Sequence, residues 1–226
     1  MSRPGSSRSS KEPHPETQFV SIKHIGKGSF GTVSLVRSNR DGKLYVMKRV
    51  QYNPLEPKGK HQVEALTEVK MLRSLKHPNI VEFKEAFVSR SGRHLCIVMA
   101  YCESGDLMKR IKAAKEANQG FEEQTIMDWF IQLLLSLHFL HGKRVIHRDI
   151  KPQNIFLTEN NRVIKVGDFG VTRMLDHTMA MARTRIGTPY YMSPELCSDT
   201  PYSYKSDVWA MGCVLYQLCS LRVPFE

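Results

Sequence analysis

The segment HRDIKPQN, residues 147–154, concentrates side chains that could do chemistry and that are costly to bury without partners. It follows neither a helical nor a strand period. Asp149 can accept a hydroxyl proton or orient a nucleophile. Lys151 can neutralise charge on a transferred phosphoryl group, and Asn154 offers the hard oxygen that metal-bound phosphates require. The segment therefore suggests phosphate chemistry, which further motifs must support.

Two later motifs add to this hypothesis. DFG occupies 168–170, so Asp168 stands 168 − 149 = 19 residues after Asp149. Its carboxylate makes Asp168, with Asn154, a candidate Mg²⁺ ligand. The run TPYYMSPE at 188–195 closes the long stretch that follows.

A glycine-rich segment, GKGSFGTV at 26–33, has the spacing G-x-G-x-x-G-x-V. Glycines let backbone N–H groups approach phosphates closely. In a dinucleotide fold the glycines open a helix. Here the β-branched run TVSLV follows, which favours a hairpin folded over a nucleotide. The predicted contacts are Ile25, Gly26, Lys27, Gly28, Ser29, Phe30, Gly31, Thr32 and Val33.

One lysine and one glutamate complete the chemical set. Lys48 lies in VMK on the next predicted strand, where period-2 alternation puts it on the same face as Val46. Glu68 follows 68 − 48 = 20 residues later on a predicted amphipathic helix. A Lys48–Glu68 pair could hold the ammonium against α- and β-phosphates, although either residue alone is more often a solvated surface charge.

The elements that must position these residues change along the chain. Residues 19–50 predict three strands with a turn at Asp41–Gly42, and 79–101 predict a second strand pair. A helix is predicted at 63–75, ended by Pro78. Helices follow at 106–117 and 122–141, short strands at 155–157 and 163–167, an irregular stretch from 168 to about 205, and an apolar helix at 206–220.

Composition narrows the class of protein. The 226 residues are 41% hydrophobic, enough for a real core, with a net charge of +11 spread along the chain. Five cysteines form no CxxC pair, which predicts reduced, buried thiols in an intracellular protein. Residues 1–18 predict a disordered lead-in without a signal peptide, and the apolar runs at 129–140 and 208–221 predict core helices, not membrane spans.

In this order and spacing the motifs resemble the eukaryotic protein kinases over about residues 19–226. Lys151 and the run GTPYYMSPE resemble the serine/threonine branch. Phe156, Gly167, TRIGTPYYMSPE and SYKSDVWAMGC are similar to the NIMA-related kinases. Two departures are Val46 in place of the commoner alanine, which narrows the adenine pocket slightly, and Ser193 in A-P-E, which that subfamily shares.

The resemblance implies an α+β, two-lobed kinase fold with ATP in the cleft. A small antiparallel sheet lobe with one helix would span 19–99, and a mostly helical lobe 100–226, incomplete at its C-terminus. The implied reaction transfers the γ-phosphoryl of ATP, with Mg²⁺ or Mn²⁺, to Ser or Thr hydroxyls of proteins. The implied catalytic residues are Asp149, Lys151, Asn154, Lys48 and Glu68. The implied nucleotide contacts add Val46, Lys48, Met99, Ala100, Cys102, Phe156 and Asp168.

Further roles are implied by the same resemblance. His147 would be a packed core histidine stacked with Leu72, Phe83 and Phe169, and not part of a metal site with His138 and His141. Asp207 would bond the backbone near His147 and Arg148. Thr184 would carry an activating phosphate that pairs with Arg148, and Thr188 would bond near Asp149 and Lys151.

Other expectations concern the ends of the chain and its partners. Kinases of this type continue through helices that supply an arginine to the A-P-E glutamate, so Glu195 is expected to be a buried carboxylate without its partner in an aggregation-prone fragment. A catalytically weak or inactive scaffold of the same fold is the alternative function. A nucleic-acid binder is a second alternative, motivated by the +11 charge but lacking a basic–aromatic motif. The expected partners are protein substrates, which the resemblance places in the cytoskeleton or the cell cycle, and the expected locations are the cytoplasm, cytoskeleton, cilium base or nucleus.

Overall fold

The structure is a computed structural model that describes residues 13–28, 31–51, 69, 72–167, 190–198 and 203–225. They fall into two compact units. Unit 1 contains the described residues of Met1–Pro54 and Ala86–Val98, and unit 2 contains those of Leu55–Glu85 and Met99–Glu226. Both sheets and helices are present, so the α+β prediction is confirmed. The lobe boundary predicted at residue 99 stays a prediction.

Unit 1 is built on an antiparallel sheet. The strands of this sheet are β1 (Phe19–Gly28), β2 (Gly31–Ser38), β3 (Leu44–Gln51), β4 (Phe83–Val88) and β5 (His94–Ala100), in the order β1-β2-β3-β5-β4. Residues 83–85 of β4 and 99–100 of β5 fall in unit 2. Successive strand residues point to opposite faces, so the alternating sequence gives the sheet one apolar face. Val36, Tyr45, Met47, Cys96 and Val98 bury that face, with Phe19 and Phe87 packed against it.

The opposite face of the same sheet is only partly covered. In β3, Tyr45 and Met47 are buried whereas Val46 and Lys48 are half-buried. This alternation confirms the prediction that Val46 and Lys48 share a face. The exposure of that face is what leaves it available for a ligand.

Unit 2 is mostly helical. Helix α1 (Leu107–Glu116) is capped by the carboxylate of Asp106, which accepts from the Lys109 N–H at 2.9 Å. Helix α2 (Glu123–Gly142) buries an apolar stripe that includes Trp129, Leu133 and Leu137. These helices confirm the predictions at 106–117 and 122–141. The predicted helix at 63–75 lies mainly outside the described residues. Within that range, the described residues 69 and 72–74 are helical.

The rest of unit 2 closes its core. Strands β6 (Ile155–Thr158) and β7 (Val163–Val166) pair antiparallel, as predicted, and α4 (Tyr204–Ser220) packs against α2. Helix α4 begins with a capping box between Ser203 and Ser206, so the predicted start at 206 moves two residues earlier. The core joins α1, α2, β6, β7 and α4.

Two sequence predictions need correction. The stretch predicted to be irregular to about 205 contains a one-turn helix, α3 (Pro194–Cys197), which Pro194 starts at the first helical position. The cysteines are not all buried: Cys197 and Cys219 are exposed, and Cys102 is half-buried. All five are free thiols, as predicted.

Among the described helices, none combines the length and apolar character that a membrane span requires.

Candidate functional site

In unit 1 the strand register brings three predicted residues into one row. Gly26 on β1 pairs with Val33 on β2, and Val33 pairs with Lys48 on β3. Leu35 and Val46 form the next pair along β2 and β3. Directly paired residues in adjacent strands point to the same face. On the half-covered face of the sheet, the row therefore holds the bare backbone of Gly26, the apolar side chain of Val33 and the ammonium group of Lys48.

Two glycines of the glycine-rich segment have different local environments. A Cβ at Gly31 would lie 1.8 Å from the Arg49 carbonyl oxygen, and Gly31 has a φ of +152°. Because a side chain does not fit at position 31, the fold of the sheet itself requires glycine there. A Cβ at Gly26 would meet nothing within 4 Å. Space at Gly26 leaves room for a ligand on this face.

The other predicted contacts of unit 1 lie on the same strands. Ile25 is exposed beside a register shift between His24 and Gly26, and Thr32 pairs with Arg49. Lys27 and Gly28 end β1, but their side chains lie outside the described set. The predictions at Ser29, Phe30 and Glu68 also lie outside the described residues, so the Lys48–Glu68 pair stays a prediction.

In unit 2 the HRDIKPQN segment brings the side chains of Asp149, Lys151 and Asn154 into contact. Lys151 Nζ lies 2.8 Å from Asp149 Oδ2. Asn154 Nδ2 donates to both the carbonyl oxygen and Oδ2 of Asp149, each at 2.8 Å. Pro152 starts a 3-10 turn, Pro152–Asn154, that brings Asn154 back toward Asp149. About a third of the Asp149 and Lys151 side chains is exposed, whereas Asn154 is buried. The arrangement presents a fixed carboxylate and a cation to a ligand.

His147, the first residue of this segment, is hydrogen-bonded to the backbone of Asp149. It is fully buried, which confirms the prediction of a packed core histidine. Its Nδ1 accepts from the Asp149 N–H at 3.2 Å, and its Nε2 lies 3.1 Å from the Gly167 carbonyl oxygen. Because Nδ1 faces a donor and Nε2 faces an acceptor, these contacts assign the neutral tautomer protonated at Nε2. His147 thereby links Asp149 to the strand end before Asp168. Its predicted stack with Phe169 lies outside the described residues.

Gly167 is packed too closely to carry a side chain. A Cβ there would lie 2.8 Å from Val81 Cγ2 and 2.9 Å from Phe156 Cε2. Its N–H donates to the Asn154 carbonyl oxygen at 3.0 Å, and its own carbonyl faces His147. The half-buried Phe156 ring therefore rests on Gly167. Asp168, the next residue, lies outside the described residues, so its predicted metal role stays a prediction.

The resemblance to kinases implies a hinge segment at residues 100–102, and the backbone on either side of Cys102 is hydrogen-bonded to neighbouring strands and loops. Met99 and Ala100 end β5, and the Ala100 N–H donates to the Glu82 carbonyl oxygen at 2.9 Å. After Cys102, the Ser104 N–H donates to the Leu157 carbonyl oxygen at 3.1 Å. Burial raises the pKa of the Cys102 thiol to about 11. The backbone contact to Leu157 connects the hinge segment with β6, the strand that carries Phe156.

Asp207 holds the backbone of the segment, as predicted. Its buried carboxylate accepts from the His147 N–H at 2.9 Å and from the Arg148 N–H at 3.0 Å. Sequence reasoning missed a third contact, His141 Nε2 to Asp207 Oδ2 at 2.9 Å. In the sequence, His141 stands out only in a group with His138 and His147 that lacks further metal ligands. The described residues contain no group of metal-ligating side chains of that kind.

The environment of Glu195 differs from the expectation. Glu195 is half-buried, so the prediction that this carboxylate is buried is wrong, and it accepts from the Ser206 hydroxyl at 2.8 Å. The expectation about its arginine partner stays a prediction. Its own backbone N–H and the Ser206 hydroxyl hold the pKa of this carboxyl below its usual value. The bond joins α3 to the capping box of α4. Thr184 and Thr188 lie outside the described residues, so their predicted roles stay predictions.

Comparison with known proteins identifies the family. The sequence pattern of the protein kinase domain matches residues 19–226. The chain is 50% identical over 209 residues to the serine/threonine-protein kinase Nek1 of Mus musculus, covering 92% of this chain and 17% of that protein. It is 47% identical over 207 residues to Nek5 of Homo sapiens, covering 91% and 28%. It is 42% identical over 228 residues to the G2-specific protein kinase fin1 of Schizosaccharomyces pombe, covering 92% and 31%.

The chain thus spans less than a third of the length of each of these relatives. The match to the domain covers both units, from the first strand to the last residue of the sequence. The resemblance to the NIMA-related kinases, inferred from Phe156, Gly167 and the runs around Thr188 and Asp207, is confirmed by the names of these relatives. The chain belongs to the protein kinase domain family.

Proposed function

We propose that the protein transfers the γ-phosphoryl group of ATP to serine and threonine hydroxyls of proteins. The observation that carries the proposal is the contact set at Asp149, where Lys151 Nζ and Asn154 Nδ2 each lie 2.8 Å from Oδ2. Two donors on one oxygen fix the carboxylate orientation before substrate arrives. Such positioning, together with electrostatic stabilisation, is the main source of catalysis in phosphoryl transfer.

Asp149 is the proposed acceptor of the hydroxyl proton. Oδ2 is occupied by Lys151 and Asn154, and among the described residues Oδ1 accepts no hydrogen bond. The substrate hydroxyl would donate to Oδ1. As its oxygen bonds to the γ-phosphorus, the bond from phosphorus to the ADP oxygen breaks and the proton passes to Asp149. The exposed third of Asp149 gives the hydroxyl access.

Two lysines are proposed to offset phosphate charge. Lys151 is held at Asp149, where it would stabilise the charge that builds up on the transferred group. Lys48 lies in the row with Val33 and Gly26, so its ammonium would bind phosphate oxygens approached by the glycine-rich backbone. The proposal thus assigns phosphate binding to the unit 1 row and hydroxyl activation to the unit 2 segment.

The family also implies a divalent cation, Mg²⁺ or Mn²⁺, and Asn154 fits a role in holding it. Nδ2 of Asn154 makes both bonds to Asp149, so its amide oxygen is the atom that remains to coordinate. Oxygen donors are what Mg²⁺ prefers. Asp168 is the proposed second ligand. The cation, when bound, would neutralise phosphate charge.

The test is phosphoryl transfer by the full-length protein to a library of serine- and threonine-containing peptides. Wild type is expected to label peptides with ATP and Mg²⁺. Asp149→Asn keeps the shape but removes the proton acceptor, so kcat should fall at least roughly 100-fold with little change in nucleotide affinity. The control is Asp128→Asn, an exposed aspartate on α2. Absence of transfer by wild type, or near-normal turnover by Asp149→Asn, overturns the proposal.

We further propose that the substrates belong to the cell cycle or the cytoskeleton and are met in the cytoplasm, on cytoskeletal structures, at the cilium base or in the nucleus. The name of one relative, the G2-specific protein kinase fin1, supports a cell-cycle substrate. The peptide library identifies the preferred sequence, and fluorescence microscopy of the tagged full-length protein identifies the compartment. Constant diffuse signal through the cell cycle, with no labelled cell-cycle protein, would contradict this assignment.

A further inference from the structure

The segment just before β1 is folded onto unit 1. A 3-10 turn, Pro15–Gln18, is capped by His14, whose Nδ1 accepts from the Glu16 N–H at 3.2 Å. The His14 ring contacts Phe87 of β4 edge-on, with the ring centroids 6.1 Å apart. Residues 14–18 form the N-terminal strap, which therefore has a defined turn and a packing partner on the sheet.

The N-terminal strap lies at the apolar face of the sheet. Phe87 stacks on Phe19 with the ring centroids 6.0 Å apart, and both rings pack against the buried cluster that contains Tyr45 and Met47. Successive residues of a strand point to opposite faces, so Lys48 lies on the other face of the sheet. The strap therefore covers the back of the sheet, whose front carries the proposed phosphate-binding row.

Glu16 connects the strap to two other parts of unit 1. Its Oε2 accepts from the backbone N–H of Arg90, in the turn between β4 and β5, at 2.8 Å. Its Oε1 lies 3.6 Å from the guanidinium of Arg49 on β3. Of the Arg49 and Glu16 side chains, 27% and 25% are exposed, so salt screens this ion pair less than it screens a fully exposed one. Glu16 thus joins the strap to a strand and to a neighbouring turn.

Another attachment comes from the turn between β2 and β3. The Asn39 N–H donates to the Gln18 carbonyl oxygen at 2.8 Å, and the Asn39 side-chain amide donates to the Thr17 carbonyl oxygen at 3.2 Å. Phe19 begins β1 directly after the strap. The strap therefore ties the start of β1 to the β2–β3 turn and, through Glu16, to β3 itself.

Arg49 is the point at which the strap reaches the glycine-rich hairpin. Its carbonyl oxygen faces Gly31 so closely that a Cβ there would lie 1.8 Å away, and its partner in the strand register is Thr32. Lys48 directly precedes Arg49 in β3. A shift of Arg49 would therefore disturb both the close approach of β2 to β3 and the backbone that carries Lys48.

We propose that Glu16 is a positioning residue for ATP binding, which acts through Arg49 to hold β3 against the glycine-rich hairpin. The unit 1 row is then formed before ATP arrives. The proposal rests on the proposed kinase function and deepens it by naming what fixes the phosphate-binding row. Preorganisation reduces the ordering cost of binding, so Glu16 should act on the affinity for ATP and not on the chemical step.

The variants separate the two contacts of Glu16. Glu16→Gln keeps an oxygen for the Arg90 N–H and removes the charge that faces Arg49, whereas Glu16→Ala removes both contacts. Arg49→Met removes the guanidinium and keeps a long side chain on the apolar face. Glu116→Gln, at an exposed glutamate at the end of α1, is the control. All variants are made in the full-length protein, and thermal melts establish that each is folded.

The first measurement is the Kd for ATP by nucleotide titration, with kcat from peptide phosphorylation. Glu16→Gln and Arg49→Met are each expected to raise the Kd roughly 2-fold to 5-fold, the range that partly exposed ion pairs give, with kcat little changed. The double variant should bind ATP no more weakly than either single variant, because both substitutions remove the same contact. Glu116→Gln should bind ATP like wild type.

The second measurement is amide hydrogen exchange without nucleotide. Exchange in β3, residues 44–51, should be faster in Glu16→Gln and in Arg49→Met than in wild type. Exchange at the Arg90 amide should be faster in Glu16→Ala and unchanged in Glu16→Gln, because glutamine still accepts this hydrogen bond. This measurement does not depend on ATP binding or on phosphoryl transfer.

The outcomes are distinct. An unchanged Kd for ATP in folded Glu16→Gln, losses that add in the double variant, or unchanged exchange in β3 each overturns the proposal, as does a fall in kcat with no change in Kd. If wild type neither binds ATP nor transfers phosphate, the proposed kinase function fails, and exchange in β3 alone decides whether Glu16 holds this strand.

Discussion

Asn154 donates its side-chain amide to both the backbone carbonyl and the carboxylate of Asp149, at 2.8 Å in each case. The two residues are five positions apart, and the 3-10 turn at Pro152–Asn154 closes the loop between them. The same donor group thus fixes the main chain and the side chain of Asp149. This contact explains why an amide, and not a carboxylate, suits position 154.

The first prediction replaces that donor with a negative charge. In Asn154→Asp a second carboxylate would face Asp149 Oδ2 at the present distance of 2.8 Å. Like charges that close cannot both remain ionised without a large cost, so the pair shares a proton or separates. We expect kcat to fall at least roughly 10-fold at saturating Mg²⁺, which steady-state phosphorylation by the full-length protein measures.

Asn160→Asp is the control for the first prediction. Asn160 is exposed in the turn between β6 and β7, with a φ of +56° that aspartate also tolerates. The Asn160→Asp substitution adds the same negative charge as Asn154→Asp, but at a position away from Asp149. Equal activities of Asn154→Asp and wild type would show that the amide donor is dispensable.

The second prediction concerns two glycines with opposite surroundings. Gly167→Ala would push a methyl group against Val81 and Phe156, at 2.8 and 2.9 Å. Overpacking of this kind destabilises by about 1–3 kcal/mol, and displacement of the Phe156 ring should weaken binding of an adenine nucleotide. Denaturant unfolding and nucleotide titration measure the two effects.

The comparison variant is Gly212→Ala in α4. A Cβ there meets nothing within 4 Å, and alanine in a helix interior is favoured over glycine by roughly 0.5–1 kcal/mol. We therefore expect this variant to be more stable than wild type. A Gly167→Ala protein as stable as Gly212→Ala would contradict the close packing of Gly167 on Phe156.

Much of the fold could be predicted from local sequence pattern. The strands β1 to β7 follow from alternation and turn residues, and α1, α2 and α4 follow from helical periodicity. The one-turn helix α3 is too short for a periodic signal, although Pro194 at its first position was an available start signal. The Asp149, Lys151 and Asn154 cluster could be predicted because it is local in sequence.

What could not be predicted depends on packing between distant elements. Nothing near His141 indicates that it meets Asp207, because the contact exists only when α2 lies against α4. The need for Gly167 was likewise hidden, since it arises from the Phe156 ring on the paired strand β6. For Glu195, the family supplied an expected partner, but the hydroxyl of Ser206 on the neighbouring helix was not foreseen.

The third prediction concerns the thiols. Burial raises the pKa of Cys96 and of Cys102 to about 11 and also raises that of Cys213. The thiolate is the reactive form, so these thiols should alkylate slowly in the native protein at pH 8. Cys197 and Cys219 are exposed and should react first. Mass spectrometry after brief iodoacetamide treatment measures the order, with fully denatured protein as the reference.

The same pKa shifts predict a loss of stability in alkali. A pKa raised in the folded state favours the protonated thiol, so its contribution is fully present below the unfolded value of 9.0 and is lost as the pH rises toward 11. The free energy of unfolding should therefore decline between these values, and decline less steeply in Cys102→Ala. Parallel pH profiles for Cys102→Ala and wild type would mean that this thiol is not shielded from water.

The last prediction separates the two glycines of the glycine-rich segment. Gly31→Ala would place a Cβ 1.8 Å from the Arg49 carbonyl oxygen, and no side-chain rotation relieves an overlap with backbone. β2 and β3 must then part at the Gly31–Val50 pair. We expect a lower melting temperature, by about 2–4 °C for each kcal/mol lost.

Gly26→Ala is expected to behave in the opposite way. Its Cβ would meet no protein atom within 4 Å, so the melting temperature should stay near that of wild type. Gly26 nevertheless shares its row with Lys48, where the backbone is proposed to approach ATP phosphates, so the added methyl group should raise KM for ATP. Thermal melts without nucleotide, and KM measurements on the full-length protein, give the two readouts. A Gly26→Ala protein with unchanged KM would place the phosphates away from this row, and a Gly31→Ala protein that melts like wild type would contradict the close approach of β2 to Arg49.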